Sequence, residues 1–379
     1  MTTQPQRKPT SAASFPLPSR ADHVGSLLRP ERLKTARAQA RNGSITREQL
    51  RVVQEACVRE VVGGLESTGM QVITDGEFSR DWWHIDFLAA FEGVSNFPDP
   101  GVANFKGFRA EDMPPIMSVA GPIRRTKPAF VDFFRFLKGT TRRTIKQTLP
   151  SPAMLLLRGG YAALDRTAYP DPAQLWEDLG AAYRAELTEL AAAGCTYVQI
   201  DDTSYSLLCD DKFRAMVRAR GEDPDLLVQT YVHAVNLALR DRPPGMTVAM
   251  HTCRGNFQSS WVAEGSYERV AETVFNQVAV DTFFLEYDSD RAGGFEPLRF
   301  MPDDKFVVLG LVSTKVPSLE SKDVLKRRID EAAKFVPLER LALSPQCGFA
   351  STYHGNKVTL DDQWAKLRLV VEVADEVWR

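Results

Sequence analysis

The feature that most constrains the fold is a regular alternation of short apolar runs with longer amphipathic segments along 379 residues. The segments between the runs, such as AQLWEDLGAAYRAELTELAAAG, carry apolar residues at helical spacing. Eight runs have the character of buried strands: ADHVGS (21–26), VITDGE (72–77), KQTLPSP (146–152), YVQIDD (197–202), VAMHTC (248–253), FFLEYD (283–288), VVLGLVS (307–313) and LALSPQC (341–347). Eight alternations in one chain predict a single (β/α)8 TIM barrel.

Two stretches depart from this pattern. Residues 78–145 contain no long helical pattern, and we interpret them as a β-hairpin insertion after the second strand. Residues 1–20 are rich in Thr, Pro, Ser and Gln, which predicts a flexible N-terminal arm. The remaining residues, 21–379, are interpreted as one barrel domain because no Gly/Ser-rich linker divides them.

The composition indicates a globular protein that acts on small molecules. The chain is 44% hydrophobic with a formal net charge of -2, so it buries a large core and has no general attraction to nucleic acid or to anionic lipid. No apolar run approaches the ~20 residues of a membrane span, and the N-terminus lacks the apolar segment of a secretory signal. The cytoplasm is therefore the expected compartment. Five widely spaced cysteines are expected to be reduced thiols. The sequence leaves open whether the chain forms a homo-oligomer.

Polar residues follow nearly every predicted strand, and the carboxyl ends of barrel strands are where active sites form. His251 and Cys253 are two positions apart in VAMHTC, so their side chains lie on the same side of a strand. Glu286 and Cys347 end the sixth and eighth runs. A set of one His, one Glu and two Cys favours zinc over hard cations, because thiolates are poor ligands for magnesium or calcium. A strand end packed under a loop is the alternative explanation of the His–Cys pair.

The charge of such a set indicates what the metal would do. Two thiolates and one carboxylate on Zn²⁺ leave a net charge of about -1, which makes a weak Lewis acid for activating water. The same set can hold a substrate thiolate in the place of Glu286 without changing the net charge. We therefore expect alkyl transfer to sulfur rather than hydrolysis.

The ordered motifs resemble one known family. DHVGS, TDGEF, QIDD, MHTCRGN, LEYD and SPQCGF, in this order, are similar to the C-terminal catalytic barrel of cobalamin-independent methionine synthase and its short single-barrel relatives. The resemblance runs from about residue 21 to the C-terminus. It implies that zinc activates the thiol of homocysteine, which takes a methyl group from methyltetrahydrofolate.

The resemblance also implies roles for individual residues. The zinc ligands would be His251, Cys253, Glu286 and Cys347. Glu77 and Asp201 would bind the amino group of an amino-acid thiol, and Ser26 would contact its carboxylate or backbone: Ser26, Glu77 and Asp201 are thus the expected substrate contacts.

Two departures from the family concern the methyl donor. The full-length enzymes carry an additional N-terminal barrel that helps bind the polyglutamyl folate, whereas this sequence predicts one barrel. On the seventh strand the family has a catalytic histidine in D-I-H-S-P, and this sequence reads GLVSTKVP with Val312 at that position. A valine cannot protonate a leaving nitrogen. The usual route of folate release is therefore in doubt.

Several other residues are candidates for the donor side. Trp82 and Trp83 could form an aromatic wall for a flat donor, or they could pack the insertion onto the barrel. His84 and His354 are the candidate proton donors in place of the absent histidine. Arg254 and Lys315 follow the fifth and seventh strands, where they could bind an anionic group or be surface charges.

The sequence thus predicts a zinc-dependent methyltransferase that acts on a thiol. The expected acceptor is homocysteine, with methyltetrahydrofolate or another methylated compound or carrier as donor. One alternative keeps the zinc and adds a different thiol to an epoxide, as epoxyalkane coenzyme M transferases do. The other is a non-catalytic protein that binds zinc or a thiol.

Overall fold

The computed structural model describes residues 17–99 and 113–379. Most strands that belong to the main sheet are buried along their whole length, as expected for parallel strands covered on both faces. The strands are β1 (Val72–Ile73), β2 (Glu92–Phe97), β3 (Ile116–Arg124), β4 (Thr144–Ile145), β5 (Gln147–Pro150), β6 (Tyr197–Asp202), β7 (Thr247–Thr252), β8 (Thr282–Glu286), β9 (Phe306–Val312) and β10 (Leu341–Pro345).

Five of the α-helices in the described residues begin after a residue whose side chain accepts from an amide of the first turn. The Thr46 side chain accepts from the amide of Gln49, and Asp171 and Asp223 do the same before helices that begin with proline. The helices are α1 (Glu31–Arg41), α2 (Arg47–Ser67), α3 (Ile85–Leu88), α4 (Val131–Lys138), α5 (Pro172–Ala192), α6 (Ser204–Leu207), α7 (Asp211–Ala219), α8 (Pro224–Leu239), α9 (Glu268–Gln277), α10 (Lys322–Ala332) and α11 (Leu360–Trp378).

Six strands form one parallel sheet in the order β10-β9-β8-β7-β6-β5. β1 pairs in parallel with β4, which is separated from β5 only by Lys146. Helices cover this sheet in the same order, because α5 packs against α8, α8 against α9, and α10 against α11. The predicted α/β class with a parallel sheet is confirmed, and within the described residues no helix is long and apolar enough to cross a membrane.

The segment predicted as the first strand forms only a short connection between β10 and β1. Ala21 forms a parallel bridge with Leu343 in β10, and the amide of Leu27 donates to the carbonyl of Gly76 beyond β1 at 3.0 Å. The segment 21–27 therefore lies between β10 and β1. These contacts do not amount to a continuous ladder.

An antiparallel pair lies within the stretch interpreted as an insertion. β2 and β3 pair in antiparallel register, with Phe97 opposite Ile116. The residues that would join them, 100–112, lie outside the described part of the chain. An antiparallel pair is what a hairpin contains, and its status as an insertion into a barrel stays a prediction.

A layer of apolar side chains fills the space between the amino-terminal halves of the strands. Leu17 is buried in this layer, although it belongs to the predicted flexible arm. The Arg20 guanidinium also donates to the carbonyl of Leu341 at 2.7 Å. Residues 17–20 are therefore packed, because Leu17 and Arg20 have partners on the body of the protein. The rest of the predicted arm, residues 1–16, lies outside the described residues.

A buried ion pair lies near the amino-terminal segment of the sheet. The Lys146 ammonium donates to Asp22 Oδ1 at 2.9 Å, and Tyr197 donates its hydroxyl to Asp22 Oδ2 at 2.9 Å. Neither charged side chain of the pair is exposed. Such a pair is costly to break, since removing either partner leaves a buried charge without compensation.

Candidate metal centre

Three of the four predicted metal ligands meet at the carboxyl ends of two strands. His251 lies in β7, Cys253 follows that strand directly, and Cys347 comes two residues after β10. Their potential ligand atoms all lie within 4.8 Å of one another, and all three side chains are buried. Because His251 and Cys253 are two residues apart, the alternation of the strand directs both side chains to the same place.

The groups in this cluster fit a soft divalent metal. Both ring nitrogens of His251 are buried, and neither has a hydrogen-bond partner of normal geometry within the described residues. One imidazole and two thiols are ligand types that zinc accepts. A buried imidazole without partners is unfavourable, and binding a metal would satisfy it.

The charges of the cluster also indicate a cation site. The adjacent thiol of Cys253 holds the pKa of Cys347 well below its usual range, with His251 and Lys315 contributing, although burial opposes the shift. Burial lowers the pKa of His251, but Cys347, Asp201 and Glu286 outweigh it and raise the pKa overall. The cluster therefore favours a thiolate beside an imidazolium, and a bound cation would displace that proton.

Glu286, the fourth predicted ligand, is not part of the three-residue cluster. Its Oε1 accepts from Arg291 Nε at 3.0 Å and from Arg291 Nη2 at 2.7 Å, and its Oε2 accepts from the backbone amide of Arg254 at 2.8 Å. Burial raises the pKa of this carboxyl, but Lys315, Arg254 and Arg291 outweigh it, so the pKa is lowered. Glu286 is therefore a carboxylate that is already satisfied by hydrogen bonds.

Arg254 and Lys315 are two of the predicted substrate contacts, and both are buried. The Arg254 guanidinium is buried, donates to the carbonyls of Gly265 and Glu286, and stacks over the ring of Tyr267 at 4.3 Å. Lys315 is buried as well, and its ammonium makes no hydrogen bond within the described residues. Neither side chain lines the cavity beside the cluster. Their positions fit electrostatic support of Glu286 and the thiols better than contact with a substrate.

A cavity opens from the cluster, and most of the predicted substrate contacts line it. Apolar side chains, including Met154, Leu157 and Phe213, form much of its outer wall. The predicted residues on its wall are Ser26, Glu77, Trp82, Trp83, His84, Asp201, His251, Cys253 and Cys347. The fold thus gathers residues from distant parts of the chain around one space.

Glu77 presents an unsatisfied carboxylate oxygen at this cavity. Its Oε1 lies 3.2 Å from Thr148 Oγ1 and 3.3 Å from Arg80 Nη2, whereas its Oε2 is buried without a hydrogen-bond partner in the described residues. The residue has a left-handed backbone, with φ of 62°. Such a conformation is uncommon for a non-glycine residue, and strain of this kind is concentrated at functional sites.

Asp201 is the second carboxyl of the cavity, at the end of β6. Its Oδ1 accepts from Gln199 Nε2 at 2.6 Å. Burial raises the pKa of Asp201 to about 7; His251 opposes this shift, and Glu77 adds to it. Burial likewise raises the pKa of Glu77. Two buried carboxyls, one of which raises the pKa of the other, are a suitable receptor for a cation, since a positive charge beside them favours their ionised forms.

Ser26 lies against the loop that carries Cys347. Its carbonyl accepts from the amide of Phe349 at 2.9 Å. A Cβ atom added to Gly348 would clash with Ser26 Oγ, so a larger residue there would force the Ser26 side chain to move. Our sequence analysis missed Gly348, although it directly follows Cys347 in the motif SPQCGF.

The two candidate proton donors differ in position. Burial, with a contribution from Arg158, lowers the pKa of His84 to about 3, so this cavity residue is a neutral imidazole at neutral pH. His354 does not line the cavity; its ring stacks on Tyr353 at 3.8 Å between centroids, and its Nδ1 lies 3.2 Å from Thr352 Oγ1. The role of either histidine as a proton donor stays a prediction.

Sequence reasoning assigned no role to two further polar residues. Asp202 lines the cavity beside Asp201, and its Oδ1 accepts from the hydroxyl of Ser204 at 2.7 Å. Arg291 binds Glu286, as described above. The motif QIDD contained the signal for Asp202, since it places two acidic residues at one strand end, whereas no sequence signal distinguished Arg291 from other loop arginines.

The fold and the cluster together define a class: a parallel α/β protein with a buried His–Cys–Cys site at the carboxyl ends of its strands. The catalytic-domain family of cobalamin-independent synthases matches residues 20–376, and the chain belongs to this family.

Similar proteins agree with this membership. The uncharacterized proteins YxjG and YxjH of Bacillus subtilis are 44% and 45% identical over 96% of this chain and 95% of their own lengths. A 5-methyltetrahydropteroyltriglutamate–homocysteine methyltransferase of Rhodococcus jostii is 27% identical over 90% of this chain, which spans only 42% of that protein.

Solved structures extend the similarity to the fold. A Listeria monocytogenes protein, provisionally assigned as a vitamin-B12 independent methionine synthase, has a TM-score of 0.75 at 35% identity and covers 98% of this chain and 100% of its own. A B12-independent methionine synthase from Shewanella sp. W3-18-1, 20% identical, has a TM-score of 0.69 over 96% of this chain and 98% of its own. The fold is therefore of the same type as theirs.

Proposed function

We propose that this protein is a zinc-dependent methyltransferase that converts homocysteine to methionine. The observation that carries the proposal is the cavity shared by the His251–Cys253–Cys347 cluster and the two carboxyls of Glu77 and Asp201. Zinc held by the cluster would supply a lowered pKa for a bound thiol, which makes the sulfur a nucleophile at neutral pH. The new bond joins that sulfur to the methyl carbon, and the bond from the methyl group to the donor breaks.

The chain's own residues would orient the acceptor. Glu77 and Asp201 present two carboxyls to the cavity, and this pair suits the ammonium group of an amino acid, because a positive charge between them favours their ionised form. Ser26, on the same wall, is placed to contact the acceptor's carboxylate or backbone. An amino acid held at both groups would present its side-chain thiol in one orientation, and this reduces the entropic cost of the reaction.

The proposed binding surface for the methyl donor is the aromatic wall formed by Trp82 and Trp83. Trp82 and Trp83 offer flat apolar surface to a methyl donor, which we propose is 5-methyltetrahydrofolate or another methylated compound. Val312 is fully buried in β9 and cannot transfer a proton. A donor whose leaving group needs no proton from the enzyme would suit this arrangement.

A different thiol acceptor is less compatible with the site. Addition of a sulfonated thiol to an epoxide would place an anionic group in a cavity whose polar wall carries Glu77 and Asp201. Like charges at close range in a buried site are unfavourable. The carboxyl pair therefore favours an ammonium-bearing acceptor.

We also propose that the strands close into a (β/α)8 barrel within a single domain, residues 21–379, with β2 and β3 forming the insertion. The proposal is supported by the hydrogen bonds of segment 21–27 to both β10 and the loop after β1. The proposed compartment is the cytoplasm, which is consistent with five cysteines that form no disulfide.

The first test is the zinc content of the purified protein, measured by mass spectrometry without chelators. We expect about one zinc ion per chain in the wild type and in Cys57→Ser, and a large loss in Cys347→Ser. Cys57 is the matched control because it is buried in α2, in the hydrophobic core. A wild-type protein without stoichiometric zinc would refute the proposal.

The second test incubates the zinc-loaded protein and homocysteine with a panel of methyl donors, and follows methionine by mass spectrometry. Methionine formed from at least one donor supports the enzyme. Binding of homocysteine with no turnover from any donor would instead indicate the non-catalytic zinc- and thiol-binding protein.

A further inference from the structure

Arg29 is a buried residue whose guanidinium binds two loops of the candidate site at once. The residue is only 4% exposed. Its Nη2 donates to the carbonyls of Glu77 and Arg80, each at 2.9 Å. Its Nη1 donates to the carbonyl of Ala350 at 2.9 Å and to that of Thr352 at 3.0 Å. The first two carbonyls belong to the loop after β1, and the last two to the loop after β10. The guanidinium therefore joins two loops that are distant in sequence.

Each of these loops carries one part of the candidate site. The loop after β1 carries Glu77, the proposed contact for the acceptor's ammonium, and the loop after β10 carries Cys347 of the metal cluster. Both residues line the same cavity, whereas Arg29 is not on its wall and acts on the site through the backbone. The distance between the carboxyl and the thiol therefore depends on how the two loops are joined.

The backbone of Glu77 needs support of this kind. Its φ of 62° is left-handed, a conformation that a non-glycine residue keeps only where the surrounding structure holds it. The Glu77 carbonyl accepts from Arg29 and also from the amide of Arg80 at 3.3 Å. The Glu77 amide donates to Asp75 Oδ1 at 2.8 Å. The contacts with Asp75 and Arg80 are local to the loop, and Arg29 is the contact that relates this turn to the loop after β10.

An arginine suits this position better than a lysine. The guanidinium is planar and presents its N–H groups in fixed directions, whereas an ammonium is a single point that cannot reach four carbonyls in two loops. A buried carbonyl without a donor is unfavourable, so all four acceptors favour the same placement of the loops. The loops also touch through a bridge between Trp82 and Thr352 and through the rings of Trp82 and Tyr353, 5.5 Å apart. Loss of Arg29 would therefore loosen their relative position without separating them.

We propose that Arg29 is a positioning residue, which sets the distance between the Glu77 carboxyl and the Cys347 thiol so that one acceptor molecule reaches both the metal site and the carboxyl. This inference rests on the proposed function, because it takes the ammonium and the thiol to belong to a single acceptor. Arg29 thereby contributes to the choice of substrate. An amino-acid thiol gains from the fixed distance, and a thiol without an amino group does not.

The experiment compares homocysteine with 4-mercaptobutanoate, which is homocysteine without its amino group. Calorimetry on the zinc-loaded protein measures both affinities in the wild type and in Arg29→Lys, which keeps the positive charge but not the four hydrogen bonds. We expect Arg29→Lys to raise the Kd for homocysteine roughly tenfold, because the ammonium is no longer well placed at Glu77. The Kd for 4-mercaptobutanoate should change by less than about twofold, since that ligand does not use Glu77.

A double variant separates positioning from a general loss of structure. If Arg29 acts through Glu77, its replacement has little left to change once the carboxylate is gone. In the background of Glu77→Gln, Arg29→Lys should therefore raise the Kd for homocysteine by less than about twofold. A merely structural role would add the same loss of affinity in either background.

Arg340→Lys is the matched control. Arg340 Nη1 also donates to two backbone carbonyls, those of Pro302 and Lys305, but Arg340 lies outside the cavity wall. Its replacement should leave both affinities as in the wild type. Zinc content, circular dichroism and thermal unfolding establish that each variant is metal-loaded and folded. If Arg29→Lys is unstable, Arg29→Gln, whose amide can still donate to a carbonyl, serves for the same comparison.

The inference is overturned if Arg29→Lys binds both thiols as the wild type does, or weakens both by the same factor. An effect of Arg29→Lys that is undiminished in Glu77→Gln would overturn it as well. Loss of zinc from Arg29→Lys would do the same, because Arg29 would then support the metal site itself. Failure of the proposed function appears differently, as a wild-type protein that binds neither stoichiometric zinc nor homocysteine.

Discussion

At the scale of single residues, the site is defined by buried polar atoms that have no partner within the described part of the chain. They include Oε2 of Glu77, both ring nitrogens of His251 and the ammonium of Lys315. Buried polar groups in proteins are nearly always paired, so the exceptions that lie beside the cavity and the adjoining cluster are candidates for contact with a ligand. Each exception makes a residue-level prediction possible.

Replacement of Glu77 should weaken acceptor binding selectively. We expect Glu77→Gln to raise the Kd for homocysteine about 10- to 100-fold, because a lost hydrogen bond to a charged group costs ~1.5–3 kcal/mol. Zinc content should not change. Calorimetry checks the prediction, with the exposed Glu60→Gln as control; equal affinities for all three proteins would contradict the assignment of Glu77.

His84 should contribute to acid sensitivity. Its pKa is lowered to about 3 in the fold, whereas the unfolded chain takes up a proton near pH 6.5, so the unfolded state binds more protons between these values. Stability is therefore lost as the pH falls from 6.5 toward 3, by up to about 1.4 kcal/mol per pH unit from this group.

The measurement is urea unfolding of the metal-free protein at pH 6.5 and 4.5. His84→Gln should lose less stability than the wild type over this interval. An equal loss in both proteins would mean that His84 is protonated normally in the folded state.

At the scale of elements, the sheet places the site and the loops complete it. β7 and β10 are not adjacent in the sheet, because β8 and β9 lie between them, yet His251 and Cys347 meet at the carboxyl ends of these strands. The loop after β10 must therefore pass close to the rest of the site. The contact of Gly348 with Ser26 is one place where that proximity is tight.

Substitution of Gly348 tests this packing. A methyl group there would clash with Ser26 Oγ, so Gly348→Ala should destabilise the fold by about 1–3 kcal/mol and reduce homocysteine affinity. Gly63→Ala is the control, because nothing lies within 4 Å of its added Cβ in α2. That variant should gain about 0.5–1 kcal/mol from helix propensity. Denaturant unfolding that ranks both variants equally would contradict the close approach.

At the scale of the whole molecule, the proposed zinc links distant segments of the chain. Its ligands come from β7 and from the loop after β10, about a hundred positions apart in sequence. A ligand that binds only the folded state stabilises it by mass action. Zinc should therefore raise the stability of the entire fold rather than of one loop.

Removal of the metal should lower the melting temperature. Free zinc at 100 times its Kd adds about 2.7 kcal/mol to the unfolding free energy, so chelation should shift Tm by several degrees. Calorimetry with and without chelator measures this shift. Cys347→Ser should show almost none of it, and an equal shift in that variant would place the metal elsewhere.

The sequence by itself determined the α/β class and the membership of one family. β6 to β10 were predictable because strands that are covered on both faces are continuous apolar runs, and the polar residues that end them marked the site. The predicted helix α5 is confirmed for a similar reason, since its apolar spacing is regular over many residues.

The tertiary structure alone decided which of these polar residues share the cavity and which are held by others. Arg254 and Glu286 lie at the carboxyl ends of strands, as His251 does, yet Arg254 donates to the carbonyl of Glu286 and the Glu286 carboxylate accepts from the Arg291 guanidinium. Leu17 lies in a stretch of disorder-prone composition and is nevertheless buried. Sequence patterns report the direction of a side chain along its own element, whereas its partners come from segments that only the fold brings within reach.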